Sequence, residues 1–155
     1  MKEELCYISQ DFLFDLKHTK GVSKLDRSAG IIKDFKGERL KKLFALPDFK
    51  NINRGYVLSD EIVPGMDDQV LAMESERFSV PELLFNPSDI GIDQAGIVEA
   101  TWQSLQQLPT VSQGLAASNI LLTGGNCNLP QLRDRYALEV RQLIPDVFPI
   151  EVRPY

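Results

Sequence analysis

The run Asn119-Ile-Leu-Leu-Thr-Gly-Gly-Asn126 limits what this chain can fold into more than any other stretch. Three apolar residues that break off at paired glycines read as a short buried strand over Asn119–Thr123, ending in a turn. Leu132, Tyr136, Val140 and Leu143 then recur at helical spacing, and Ile150-Glu-Val152 supplies a second apolar strand. Strand, turn, helix, strand is the crossover that joins two parallel strands, so the fold class is mixed α/β. In an open α/β sheet, ligands bind beyond the carboxyl ends of the strands, where Thr123-Gly124-Gly125-Asn126 lies. Glycine there lets a flat base or a phosphate approach the backbone, and it also simply turns a chain. On spacing alone the turn is the favoured reading.

The rest of the chain is less regular. Residues 2–16 carry Leu5, Ile8, Phe12 and Leu16 near helical spacing and predict one amphipathic helix. It begins at Met1 with no capping residue, as though cut rather than started, which suggests a truncated gene product. Residues 17–42 are polar, include Gly21, Gly30 and Gly37, and read as a flexible insert with one short helix at most. Leu43 to Leu58 alternates apolar segments around Asn and Gly, which predicts a hairpin or two short strands, with Pro47 confining the first to an edge. Val70-Leu-Ala-Met73 leads into Ser75–Gly91, where Pro81 suits the first turn of a short helix carrying Leu83, Leu84 and Phe85. Ile97, Thr101, Leu105 and Leu108 predict a helix over Ala95–Leu108, stopped by Pro109, and a shorter helix follows over Val111–Ala117. No internal repeat is present.

Composition excludes several classes. A chain of 155 residues with 43% apolar content can bury a sizeable core. Its apolar runs are far shorter than the roughly twenty residues a bilayer crossing needs, and since no apolar stretch and cleavage site follow Lys2-Glu3-Glu4, no secretory leader is expected. Cys6 and Cys127 lack metal-ligand spacing and read as buried free thiols in a reducing compartment. His18, the only histidine, reads as a solvated loop residue. Charge is uneven: residues 17–42 hold nine Lys and Arg against three acids, a net +6 in a chain of net −5. Lys33, Lys36, Arg39, Lys41 and Lys42 are therefore candidates to meet DNA phosphates or an acidic protein surface, with a solvated loop the equal alternative.

Three separated segments carry a resemblance. Ser75-Glu-Arg-Phe-Ser-Val-Pro-Glu-Leu-Leu-Phe-Asn-Pro-Ser-Asp-Ile-Gly91, with Asn119–Asn126 after it, resembles the third-subdomain signature of the actin superfamily. Met1-Lys-Glu-Glu-Leu-Cys-Tyr-Ile-Ser-Gln-Asp-Phe12 resembles the helix that opens the second half of actin-like folds. In detail, Val80, Asn86-Pro-Ser-Asp89, Tyr7–Phe12 and Leu46-Pro-Asp-Phe49 resemble the actin-related protein six subfamily more than conventional actin. The resemblance implies a partial actin-like, ribonuclease H-like fold covering much of subdomains 3 and 4. Within residues 1–155, positions 17–58 would be the subdomain 4-type insert and hairpin, and 75–155 the subdomain 3-type core.

It also implies roles. Lys2 and Glu3 would contact ribose and adenine, and the Gly124-Gly125 turn would approach the base with its second glycine. Leu129 stands where many actins place a stacking tyrosine, which leaves an apolar contact without the aromatic one. No segment matches the phosphate hairpins or the metal-organising aspartate of the actin-type ATPase, and the amino-terminal half of the fold and its closing helix are not matched. The resemblance thus implies no catalytic residues, no metal site and no ATP hydrolysis, with ATP a cofactor only alongside the other half of the fold. The implied role is a subunit of a nuclear chromatin-remodelling complex that exchanges a histone variant. Its partners would be subunits of that complex and nucleosomes or histones, in the nucleus and also the cytoplasm. A nucleotide-binding enzyme fragment and a truncated product with an exposed half-core are the alternatives. Trp102 reads either as an interface anchor or, slightly preferred, as a core residue.

Overall fold

The computed structural model describes residues 1–25, 40–50, 52–59 and 69–154. The chain divides into two compact units, Met1–Val80 and Pro81–Tyr155.

In the first unit, residues 2–16 are not the single helix that their spacing predicts. A one-turn helix α1 (Lys2–Leu5) gives way at Cys6 to extended backbone, with φ −83 and ψ 151. Leu5 through Ser9 are buried without a break, which suits an extended segment enclosed on both sides and not a helix, whose turn would expose some of them. Helix α2 (Phe12–Leu25) starts afresh because Asp11 caps it. The Asp11 Oδ1 accepts the Phe14 amide at 2.9 Å, its carbonyl accepts that of Asp15 at 3.1 Å, and the Ser9 hydroxyl donates to Asp15 Oδ2 at 2.5 Å. Residues 17–25 therefore extend a helix where the sequence predicts mostly flexible insert. Of the remainder of that insert, 26–39 lies outside the described residues, and Lys42 opens a strand.

Strands β1 (Lys42–Ala45), β2 (Tyr56–Leu58) and β3 (Val70–Met73) form an antiparallel sheet in the order β2-β1-β3. Phe44 faces Val57 on one side and Leu71 on the other, so the expected hairpin is present. β1 is central and not an edge. Pro47 lies beyond its last residue, Ala45, so the missing N–H removes no ladder bond. β3 arises from a uniformly apolar run whose lack of alternation concealed it.

The core of this unit centres on Phe78, fully buried, with Tyr7 and Leu40 around it and Phe12 and Leu16 of α2 packed on the outside. Phe12 meets the Phe78 ring edge-on at 5.9 Å. Beside it the buried Arg77 donates to the carbonyls of Leu5 at 2.9 Å and Leu40 at 2.6 Å, and its guanidinium sits 5.3 Å from the Tyr7 ring centre. One side chain thus ties together two segments distant in sequence.

Helix α3 (Glu76–Glu82) contains Pro81 in its last turn. The expected short helix carrying Leu83, Leu84 and Phe85 is instead the turn that follows. Proline in a helix leaves the carbonyl four residues back without its donor. That carbonyl belongs to Arg77, and it accepts the Tyr7 amide at 3.0 Å. The bond that α3 forgoes is made by the extended segment after α1.

The second unit contains α4 (Ile97–Gln106), α5 (Thr110–Ala117), β4 (Ile120–Leu122), α6 (Leu132–Leu143) and β5 (Val152–Pro154). β4 and β5 pair in parallel, Ile120 opposite Val152 and Leu122 opposite Pro154, which is the predicted crossover with its second strand two residues later than expected. The strand is not wholly buried: alternation sets Leu121 on the other face from its neighbours, 53% exposed. Helices α4 and α6 pack together. Thr101 donates to the Ile97 carbonyl at 2.7 Å, so the Tyr136 hydroxyl, 2.8 Å from Thr101 Oγ1, is the donor in that pair. Gly96 admits no side chain, since a Cβ there would stand 1.7 Å from the Phe85 carbonyl oxygen. Arg141 closes the end of α6 by donating to the carbonyls of Ile144 at 2.7 Å, Pro145 at 2.8 Å and Phe148 at 2.9 Å. Among the described residues no helix is long and apolar enough to cross a membrane.

Candidate functional site

The parallel pair β4 and β5 ends at Leu122 and Pro154, and beyond those two carboxyl ends lies a concavity of about 230 Å³. Thr123, Gly124, Cys127 and Asn128 complete its wall. Gly124 has φ 100 and ψ 167, a backbone conformation open essentially to glycine alone. The chain then closes into a short 3-10 turn over Gly125–Asn128, in which the Cys127 amide donates to the Gly124 carbonyl at 3.0 Å. The Cys127 thiol, half-buried and free, reaches the Thr123 carbonyl at 3.1 Å.

The two glycines differ in their reasons. Nothing lies within 4 Å of a Cβ built on either one. At Gly124 the positive φ alone demands glycine. Gly125 has no such φ, so neither backbone conformation nor crowding by the described residues requires its missing side chain. Open space over a glycine that the fold does not need is what an approaching ligand would use. Leu129, offered as an apolar contact, is 5% exposed and belongs to the unit's core; it does not line the concavity. Lys2 and Glu3 are exposed on α1 of the first unit, and the glycine turn belongs to the second. Of the basic candidates, Lys33, Lys36 and Arg39 fall outside the described residues, Lys41 is exposed, and Lys42 is half-buried at the start of β1. Trp102 is half-buried on α4, and Cys6 is a buried free thiol whose pKa is raised by burial.

A charged cluster that the sequence reading did not single out occupies the second unit. Arg135, nine-tenths buried, pairs with Glu82 at 3.1 Å and with Glu139 one turn along α6, and its guanidinium lies 5.2 Å from the Phe85 ring centre. Asn86 donates to the same Glu82 oxygen at 2.8 Å. The other oxygen, Oε2, is buried with no hydrogen-bond partner among the described residues. Burial pushes the Glu82 carboxyl above the usual glutamate range, against the pull of the Arg135 charge and of its two donors. Phe85, Asn86, Glu99, Glu139 and Gln142 border a shallow concavity of about 430 Å³ beside it. The cluster fixes the turn after α3 against α6; i,i+4 spacing within Glu82/Asn86 and Arg135/Glu139 was its only trace in the sequence.

Comparison with known proteins identifies the family. The family model described as Actin matches residues 1–154. The actin-like protein ARP6 of Yarrowia lipolytica is 34% identical over 153 residues, 99% of this chain and 36% of that protein. Actin-related protein 6 of Drosophila melanogaster is 35% identical over 152 residues, 94% of this chain and 34% of the relative. Actin-related protein 6 of Arabidopsis thaliana is 30% identical over 160 residues, 97% of this chain and 38% of the relative. The chain thus spans about a third of the length of the curated relatives it matches.

Proposed function

This chain belongs to the actin family, and from that premise we propose that it works by binding, as a non-catalytic actin-related subunit of a nuclear chromatin-remodelling complex that exchanges a histone variant. The observation that carries the proposal is its likeness to actin-related protein 6 of several organisms over nearly all of its residues. Its two parts are a subdomain 4-type insert and hairpin over 17–58 and a subdomain 3-type core over 75–155. Lys33, Lys36, Arg39, Lys41 and Lys42 supply the positive charge for a nucleosome or an acidic subunit, and its place of work is the nucleus.

Affinity purification from nuclear extract tests this, using the intact chain and a variant with those five residues changed to Glu. Recovery of remodelling-complex subunits by the intact chain, lost or weakened in the variant, is the expected result. DNA binding is read separately from its salt dependence, whose slope should fall by about one for each phosphate contact removed. If neither protein recovers such subunits, the proposal fails.

The concavity beyond β4 and β5 favours one second reading. Gly124 in its wall and the open Gly125 that follows in the turn suit the adenine side of a nucleotide site that the remainder of an actin fold would complete. ATP turnover by the chain would establish an enzyme fragment in place of the binding role.

A further inference from the structure

The concavity beyond β4 and β5 is small and carries no charge. Its wall is Leu122, Thr123, Gly124, Cys127, Asn128 and Pro154, none of them ionisable at neutral pH except weakly the thiol. The whole segment from Ala100 through Leu132 lacks Asp, Glu, Lys, Arg and His, although 25% of all residues are charged. A phosphate or carboxylate that left water for such a wall would lose its hydration and meet no counter-charge. The volume, about 230 Å³, lies below the roughly 300–1,000 Å³ of pockets that enclose a drug-sized ligand. Size and charge together therefore admit one neutral ring and leave any ionic group of the same ligand outside.

Leu122 and Pro154 are apolar and Gly124 has no side chain, so a flat ring can lie against them. The Cys127 thiol is engaged, since it donates to the Thr123 carbonyl at 3.1 Å. Asn128 is exposed, and its side-chain amide has no hydrogen-bond partner among the described residues. A hydroxyl such as that of Thr123 rotates to suit either a donor or an acceptor, whereas an amide presents one of each, side by side at fixed spacing. The edge of a purine can match that pair: adenine sets its exocyclic amine, a donor, next to a ring nitrogen that accepts.

We propose that this concavity seats the neutral ring of a purine base and no other part of its ligand, and that Asn128 reads the edge of that ring through its amide. The inference rests on the nucleotide reading of the concavity and narrows it in two respects. Phosphates attached to the nucleoside add no affinity for this chain, and the 6-amino group of the purine adds affinity through Asn128. Neither follows from the paired glycines, which govern only how closely a ring can approach the backbone.

NMR titration of the isotope-labelled full chain, followed through the backbone amides of Gly124 to Asn128, tests both respects with three probes: adenosine, ATP, and purine riboside, which lacks the amine. Adenosine and ATP should bind within about threefold of each other at low and at high salt, because the wall holds no charge to be screened. Adenosine should bind about fivefold more tightly than purine riboside, the effect of roughly one net hydrogen bond. Asn128→Ala should bring that ratio to about one and leave thermal unfolding unchanged, since the side chain is exposed. ATP bound about tenfold or more tightly than adenosine would overturn the exclusion of the phosphates, and a preference for adenosine that survives in Asn128→Ala would overturn the role of Asn128; in both cases the nucleotide reading itself stands. If none of the three probes moves those amides, the nucleotide reading fails and this inference with it, while the role tested by affinity purification is judged by itself.

Discussion

Glu82 carries a titration that can be read in isolation. Because burial raises its folded pKa, there is a pH interval between the unfolded and folded values in which the folded state binds a proton more readily than the unfolded state. Its contribution to stability is full below the ordinary glutamate range, about pH 4, and is lost as pH rises through the raised value. Glu82→Gln keeps an oxygen for Asn86 and cannot ionise. The difference in unfolding free energy between wild type and variant, followed from about pH 4 to 7 by urea denaturation, should therefore move in the variant's favour as pH rises. A flat difference would mean that Arg135 and Asn86 cancel burial, and a trend in the wild type's favour that they outweigh it. The paired glycines give a second separation at this scale. Gly124→Ala forces a side chain into a backbone region nearly closed to it, with an expected loss of about 1–3 kcal/mol. Gly125→Ala should cost nothing measurable in stability, since no neighbour lies within 4 Å. That leaves it a clean probe of any ligand that approaches the turn. A destabilised Gly125→Ala would show that the fold itself needs this glycine.

Helix α2 rests on one residue for its start. Asp11→Ala removes the carboxylate that accepts the Phe14 amide, and urea denaturation should show a loss of about 1 kcal/mol, restored by Asn or Ser at that position. Elements with a strong local signal were legible in the sequence: the hairpin around Gly55, the α6 periodicity and the parallel crossover between β4 and β5 all follow from period and turn chemistry. What was not legible had competing signals. Leu5, Ile8 and Phe12 keep helical spacing, yet Asp11 starts a second helix and Leu5–Ser9 is enclosed on every side, so local period lost to tertiary packing. Pro81 suggested a helix start because nothing in the sequence tells that the Arg77 carbonyl has the Tyr7 amide to accept. The Gly124-Gly125 turn was found as a candidate site, but only geometry divides its glycines into one the backbone requires and one it does not. The Arg135 cluster joins residues 53 apart and left no local pattern strong enough to notice.

At the scale of the molecule, two compact units carry different surfaces. The first holds Lys41 and Lys42 next to a small antiparallel sheet, and the second holds the glycine turn, the Glu82–Arg135 pair and the exposed Val111 and Leu115 of α5. Exposed lysine on the first unit and exposed aliphatic residues on the second are the surfaces that the proposed role within an assembly would use. The most direct measurement of that claim is proximity labelling in living cells with a biotin ligase fused to the full chain, read by mass spectrometry alongside its position by microscopy. The account predicts a nuclear signal and labelled subunits of one histone-exchanging remodelling complex, reduced when the five basic residues are changed to Glu. A signal outside the nucleus, or nuclear labelling without any remodelling subunit, would contradict it.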